Sequence, residues 1–350
     1  MDKLKENNRI AYLDYLRILA ALAIVGIHMT AQNWYFLSYD SPNFYMPLLY
    51  NTICVWGVPA FVMISGALFL SRDISIKKLY TKNILRLLCA FLFWGAIYAI
   101  LAEDHSPREV FFNISYGHYH MWFILMLLGL YMATPILREV AKSEVLTKYY
   151  LIVSCLIAII IPTIIQTGMV FNIPGFISFK TIFDRNLIAM EFPAFVGYSF
   201  FYVLGYYIHS KEISKKTETI IYILTVIAFI ATITMSIISS YHYEVAATDF
   251  LFYKTANVAM MSAGVFVFFK QHLNKTFKFN KVITYVSSCT FGIYLIHLLI
   301  AESFSRYLNI TTMSVPLVIG IPLFTLVYFL MSLAITAVIR LIPVVKNYLI

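Results

Sequence analysis

Ten apolar runs, each long enough to cross a bilayer, recur along the chain at approximately residues 12–31, 47–70, 84–101, 121–137, 149–167, 190–208, 219–238, 254–270, 283–301 and 314–340. A hydrocarbon core about 30 Å thick takes about 20 helical residues to span. Inside it every backbone N–H and C=O must find an internal partner, which a helix supplies within one segment. The pattern predicts an all-α polytopic membrane protein, a bundle of ten transmembrane helices forming a single domain over 1–350. Composition agrees, because 61% of the residues are hydrophobic and only 12% are charged, against about 45–50% and about 25% in soluble domains.

The net charge of +9 is split among short loops, so it reads as a topology signal rather than a nucleic-acid surface. With ten spans, 21 of the 26 Lys and Arg fall on one side and five on the other. The rule that cytoplasmic loops are the positive ones predicts both termini inside. Lys3, Lys5 and Arg9 before an apolar run imitate a signal peptide. Asp14 and Arg17 interrupt that run, so an uncleaved first helix is expected. Cys54, Cys89, Cys155 and Cys289 all sit in apolar runs without metal spacing and read as packing residues, with no disulfide predicted. The longest external connection, residues 168–189, reads as a loop, either a plain connector or a cap over an external entrance.

The first run carries three ionisable residues, Asp14, Arg17 and His28. At about 100° per residue Arg17 lies about 60° from Asp14, and His28 within about 20° of Arg17, so all three share one face. Arg17 and His28 are separated by about 16 Å of helix rise. With Arg17 at one edge of the hydrocarbon, His28 is near its middle, where ionisable groups usually face a bundle interior or a wet cavity. A neutral imidazole there can take the proton of an attacking alcohol and return it to a leaving group. Arg17 can hold a phosphate, and Asp14 one turn earlier reads as its ion-pair partner. The plain alternative for His28 is a hydrogen-bonded structural histidine.

Other candidates follow the chain. Ser65 lies in a second span that Pro59 and Gly66 are expected to break, and it can hydrogen-bond a substrate or simply pack. The loop from Ser71 to Arg86 is the most basic, and Lys82 and Arg86 would lie one turn apart if helical, suiting a phosphorylated donor or anionic lipid. His118, His120 and Trp122 open the fourth span at its outer end, as an aromatic belt or a sugar platform. His118 and His120 are two apart and so do not share a helical face, and with no third ligand nearby no metal site is predicted. Glu191 opens the sixth span as an interfacial acid, an acceptor contact or a partner for His28. His297 lies at depth in the ninth span, with Glu302 beyond it.

In this order on ten spans, several of these pieces resemble the acyltransferase-3 family of integral membrane O-acyltransferases. They are Leu13 to Arg17 followed by His28, Pro59 to Gly66, the basic loop ending at Arg86, His120 to Phe123 with Tyr131 and Pro135, Tyr202 to Tyr206, and Gly292 to His297. The likeness covers essentially the whole chain and is greatest to the stand-alone bacterial branch that O-acetylates surface polysaccharide or its intermediates. It implies a multi-pass protein of the bacterial plasma membrane with acetyl-CoA as cytoplasmic co-substrate and no bound cofactor. Its partners would be that acyl-CoA, a glycan or lipid-linked glycan acceptor and membrane lipids, with no nucleic acid. By the family pattern His28 is the general base and Arg17 serves the donor. Ser65, Lys82 and Arg86 are further donor-site candidates, and His120, Trp122, Glu191 and His297 are acceptor-site candidates. One departure matters. Many members carry Arg-x-x-Arg after the second span, where this chain has Asn83 and Arg86, and the neighbouring Lys82 cannot make arginine's bidentate phosphate contact. The chain has no segment for the extra extracellular hydrolase-like domain of some relatives, so the membrane domain is expected to complete the transfer.

The rival from another class is a transporter or flippase for a polysaccharide or lipid-linked sugar. Such proteins often show pseudo-symmetric halves with paired broken helices, and no internal repeat is visible here. A sensor or scaffold would leave the intramembrane histidines without a role.

Overall fold

A computed structural model describes residues 9–102, 106–190, 197–274 and 280–350. Glu191 lies outside the described residues. Those residues form helices, turns and loops, and no strand. The principal helices are α1 (Ala11–Trp34), α2 (Tyr45–Cys54), α3 (Gly57–Leu70), α4 (Leu85–Leu101), α5 (Pro107–Tyr116), α6 (Trp122–Lys142), α7 (Glu144–Cys155) and α8 (Ile161–Val170). They continue with α9 (Phe176–Ala189), α10 (Tyr198–Ser210), α11 (Lys215–Tyr243), α12 (Ala256–His272), α13 (Asn280–Leu308), α14 (Leu317–Ile339) and α15 (Pro343–Tyr348). Among the described residues nine helical stretches are long and apolar enough to cross a membrane. Of the expected sixth span, the described part is the 13-residue α10, and residues 191–196 before it lie outside the description.

Helix α1 is the axis of the bundle. It packs against α2, α3, α12, α13 and α14, and Leu16, Ala20 and Val25 are fully buried. In lipid there is little hydrophobic gain in pairing two apolar helices, so association depends on close packing and small residues. The tightest crossing is that of α3 on α10. A Cβ added to Gly66 would sit 1.7 Å from the Tyr202 carbonyl oxygen, and one on Gly205 2.1 Å from that of Met63. By contrast α11 turns Ile220, Ile223, Val226, Ile227 and Ile230 outward, the surface of a helix facing acyl chains.

Local structure departs from the sequence reading in three places. The second run is broken between Cys54 and Gly57, before Pro59, rather than at Pro59 and Gly66. Pro59 occupies the first turn of α3, where a missing N–H costs little, and Gly66 is a packing glycine. Residues 176–189, expected as loop, form α9, entered through Gly175 at φ +86°. The basic loop closes in a π-helical stretch, Leu79–Ile84, so Lys82 and Arg86 are not one α-turn apart. The last run, expected over 314–340, forms α14 with Pro316 and Arg340 at its two ends and Pro322 inside it.

Candidate functional site

A cavity of about 440 Å³ enters the bundle from the end that carries Arg9 and Arg340. Arg9, Arg17, Arg86, Arg340 and Lys346 line it, with Ser65, Asn83, Tyr131 and Ser287, and among the described residues no Asp or Glu is in its lining. Beside the lining Asp14 is already engaged, since it lies 3.6 Å from Arg9 and 4.0 Å from Arg17 and accepts the Ser287 hydroxyl at 2.5 Å. Four of the five cations have protein partners, and Arg9 also donates to the Thr284 carbonyl at 3.1 Å. Arg86 donates to a backbone oxygen of Ile350 and packs over Phe291, and Arg340 donates to the Ser288 carbonyl. The Arg86 Nε remains buried without a partner. Such a lining attracts a phosphorylated or otherwise anionic head. The lining then turns apolar through Ile24, Phe61, Phe123, Leu127 and Tyr294.

Four imidazoles meet just beyond that apolar end. Ile24 is one turn before His28 on α1, and Tyr294 is three residues before His297 on α13. His28 Nδ1 lies 2.8 Å from His297 Nε2. His120 sits with its ring centroid 5.6 Å from His297 and 6.2 Å from His28. Its own Nδ1 is 2.8 Å from His118 Nδ1, and His118 Nε2 is 3.1 Å from Glu302. Tyr294 donates from its hydroxyl to the His120 carbonyl at 2.5 Å, fixing the turn that carries His120.

Chemical roles of the nitrogens follow from their partners. A carbonyl oxygen only accepts, so His297 Nδ1, 3.2 Å from the Ile293 carbonyl, carries a proton. In the neutral ring its Nε2 is then a lone pair, and His28 Nδ1–H donates to it. That leaves His28 with an unprotonated Nε2, the atom a general base needs, on a ring held by its other nitrogen. Among the described residues no group of three His, Cys, Asp or Glu side chains is arranged to hold a metal ion.

The sequence candidates separate clearly. Arg17, Ser65 and Arg86 line the cavity, whereas Lys82 is exposed and outside it. His28, His120 and His297 converge. His118 joins them against expectation, because residues 119–121 form a 3-10 turn rather than an α-helix and the extended His118 backbone turns its ring back onto His120. Trp122 points elsewhere, packing on Tyr198 and Tyr253 at centroid distances of 5.4 and 6.0 Å, and is 37% exposed. Sequence reasoning did not assign Arg9, Ser287, Arg340 or Lys346 to a site. None stands out by type, and only the fold brings them to one wall.

A family model described as an acyltransferase domain matches residues 10–341. Curated relatives include two from Staphylococcus aureus, strains MRSA252 and MSSA476, each named "Probable poly-beta-1,6-N-acetyl-D-glucosamine export protein". Each is 21% identical over 311 residues, which covers 85% of this chain and 84% of the relative. No solved structure matches.

Proposed function

The chain belongs to the acyltransferase-3 family of membrane proteins, and we propose that it moves an acetyl group from acetyl-CoA to a hydroxyl of a cell-surface glycan or its lipid-linked precursor, with His28 as general base. One observation carries this reading: a cavity lined by five cations and, among the described residues, by no Asp or Glu reaches apolar wall at Ile24, one helical turn before His28 with its unprotonated Nε2. A donor with phosphates at one end and a thioester at the other end of a long arm matches that gradient. Arg17 and Arg86 take the phosphates, and the arm runs past Phe61 and Phe123. The acceptor hydroxyl oxygen forms a bond to the acyl carbon while His28 Nε2 takes its proton. The carbon–sulfur bond breaks, and the leaving thiolate receives that proton. His297 serves by holding the His28 ring through Nδ1, as an orienting partner holds the base of a hydrolytic triad. No step needs a cofactor, since the thioester supplies the acyl group.

The same reading places the protein in the bacterial plasma membrane. The basic end, with both termini, faces the cytoplasm by charge asymmetry, and the apolar run at 190–208 counts as a tenth span by its sequence. The acceptor approaches from the other face, where Trp122, Tyr198 and Tyr253 offer aromatic surface for a sugar ring.

Polysaccharide export is the second reading, favoured by the printed name of the staphylococcal relatives. One experiment separates the two. Purified protein in nanodiscs receives radiolabelled acetyl-CoA with either β-1,6-linked N-acetylglucosamine oligomers or a glycan-lipid extract of the host. Wild type transfers label and a folded His28→Ala does not. No transfer and no acetyl-CoA binding, with acetyl-CoA-independent movement of oligomers into sealed proteoliposomes, would favour export and sink the transferase reading.

A further inference from the structure

The cluster contains a second hydrogen-bonded line that the acyl-transfer chemistry above does not use. Glu302 accepts from His118 Nε2–H at 3.1 Å. The carboxylate has no proton to give, so His118 Nδ1 is a lone pair in the neutral ring and must accept from His120 Nδ1–H, 2.8 Å away. His120 is thereby left with an unprotonated Nε2. That atom is buried without a partner, in a residue only 2% exposed. An unpaired acceptor in a protein interior is costly, and a purely structural His–Glu pair does not require one.

Both imidazoles of the line are clamped. The His118 ring stacks on Tyr98 at 4.2 Å and 15°. His120 is boxed by Tyr98, Tyr294, His28 and His297. The line begins at a separate cavity of about 190 Å³, lined by Tyr98, His118, Glu302 and Arg306 among others. It ends beside His28. The two lines therefore finish in the same way: His297 fixes a lone pair on His28, and Glu302 through His118 fixes one on His120.

We infer that Glu302 and His118 are positioning residues that hold His120 in its Nδ1–H tautomer, so that its Nε2 accepts a hydrogen bond from a hydroxyl of the acceptor and sets it beside His28 for attack. The substrate class this describes is a hydroxyl-rich acceptor that presents more than one donor to the cluster, one hydroxyl losing its proton to His28 and a second group anchored on His120. The inference rests on acyl transfer at His28, but its first test does not.

That test is ¹⁵N NMR of histidine-labelled protein in nanodiscs, with His120 assigned by difference from His120→Gln. Wild type should show His120 protonated at Nδ1, and Glu302→Leu and His118→Ala should move it toward the Nε2–H form. Glu302 is 47% exposed at its side chain, so Glu302→Leu is expected to fold even where His118→Ala does not. Finding His120 in the Nε2–H form in wild type, or unmoved in both variants, overturns the inference. The second readout is transfer to the oligomer or extract acceptors. Glu302→Leu should lower kcat/KM for the acceptor about tenfold, the scale of one lost buried hydrogen bond, and leave the KM for acetyl-CoA unchanged. Added imidazole, entering by the cavity that His118 lines, should restore His118→Ala but not His28→Ala. Loss without rescue and without a tautomer change makes the pair structural and overturns the inference. Absence of transfer in wild type would defeat the acyltransferase reading instead, and the tautomer measurement would still decide the relay.

Discussion

The cavity at the basic end and the imidazole cluster beyond it share two helices, α1 and α13, yet they treat polarity in opposite ways. The cavity gathers five permanent cations, and Asp14 beside it is spent on Arg9, Arg17 and Ser287. The cluster gathers four rings that each have a neutral form, and ties them nitrogen to nitrogen so that lone pairs remain on His28 and His120. Fixed charge suits holding an anionic head where solvent still reaches. Neutral bases suit proton movement at depth, where an isolated charge is expensive. On the proposed reading, binding and chemistry are separated along one helix by the spacing from Arg17 to His28, and substitutions at the two places should fail differently.

The largest effect is expected at the cluster. His28→Ala should cut acetyl transfer by about 10²–10⁴-fold, the usual contribution of a general base, with acetyl-CoA affinity unchanged within error. Single-turnover transfer and equilibrium binding check this on the same nanodisc sample. A His28→Ala protein that transfers normally, or that loses donor binding instead, breaks the division between the two regions. Next comes the cavity. Arg17→Gln should weaken acetyl-CoA by about 10–150-fold, from the loss of about 1.5–3 kcal/mol in a charged hydrogen bond, while turnover at saturating donor stays near wild type. A fall in turnover without a change in donor KM would move Arg17 from binding to chemistry.

How much of this arrangement was readable from the sequence follows the same division. Arg17 and His28 share one uninterrupted helix, so spacing alone puts them on a common face. The all-α membrane fold was readable because the bilayer leaves backbone few alternatives. The pairing of His118 with His120 was not readable. It depends on a 3-10 turn at Tyr119–Met121 whose backbone no local periodicity announces, and a helical reading puts the two rings on different faces. Their partner Glu302 arrives from α13, far along the chain. Lys82 shows the converse error, since an α-helical spacing was assumed where Leu79–Ile84 is π-helical. Helix α9 was hidden because its sequence, with Asn172, Pro174 and Gly175 ahead of it, resembles a connection more than a span.

Two smaller effects sharpen the picture of the cavity. Arg86→Lys keeps the charge but loses the planar fork and its packing over Phe291. It should raise the acetyl-CoA KM by about threefold to tenfold, because lysine binds phosphate as a point charge without bidentate geometry. An unchanged KM would mean that Arg86 serves its contact with the backbone oxygen of Ile350 rather than the donor.

Lys82 offers the smallest and most discriminating effect. It is adjacent in sequence to the cavity residue Asn83, yet its side chain is exposed and outside the lining. If donor affinity comes from groups that touch the donor, Lys82→Ala should change acetyl-CoA KM by no more than about twofold, as for an exposed charge screened by salt. Asn83→Arg, which adds a sixth cation to the wall, should tighten it. A large loss in Lys82→Ala with no gain in Asn83→Arg would mean that the π-helical stretch rearranges when donor binds and brings Lys82 to the phosphates. The basic cavity would then be completed by its ligand, while the imidazole cluster, with its rings locked to one another, would remain the preformed half of the site.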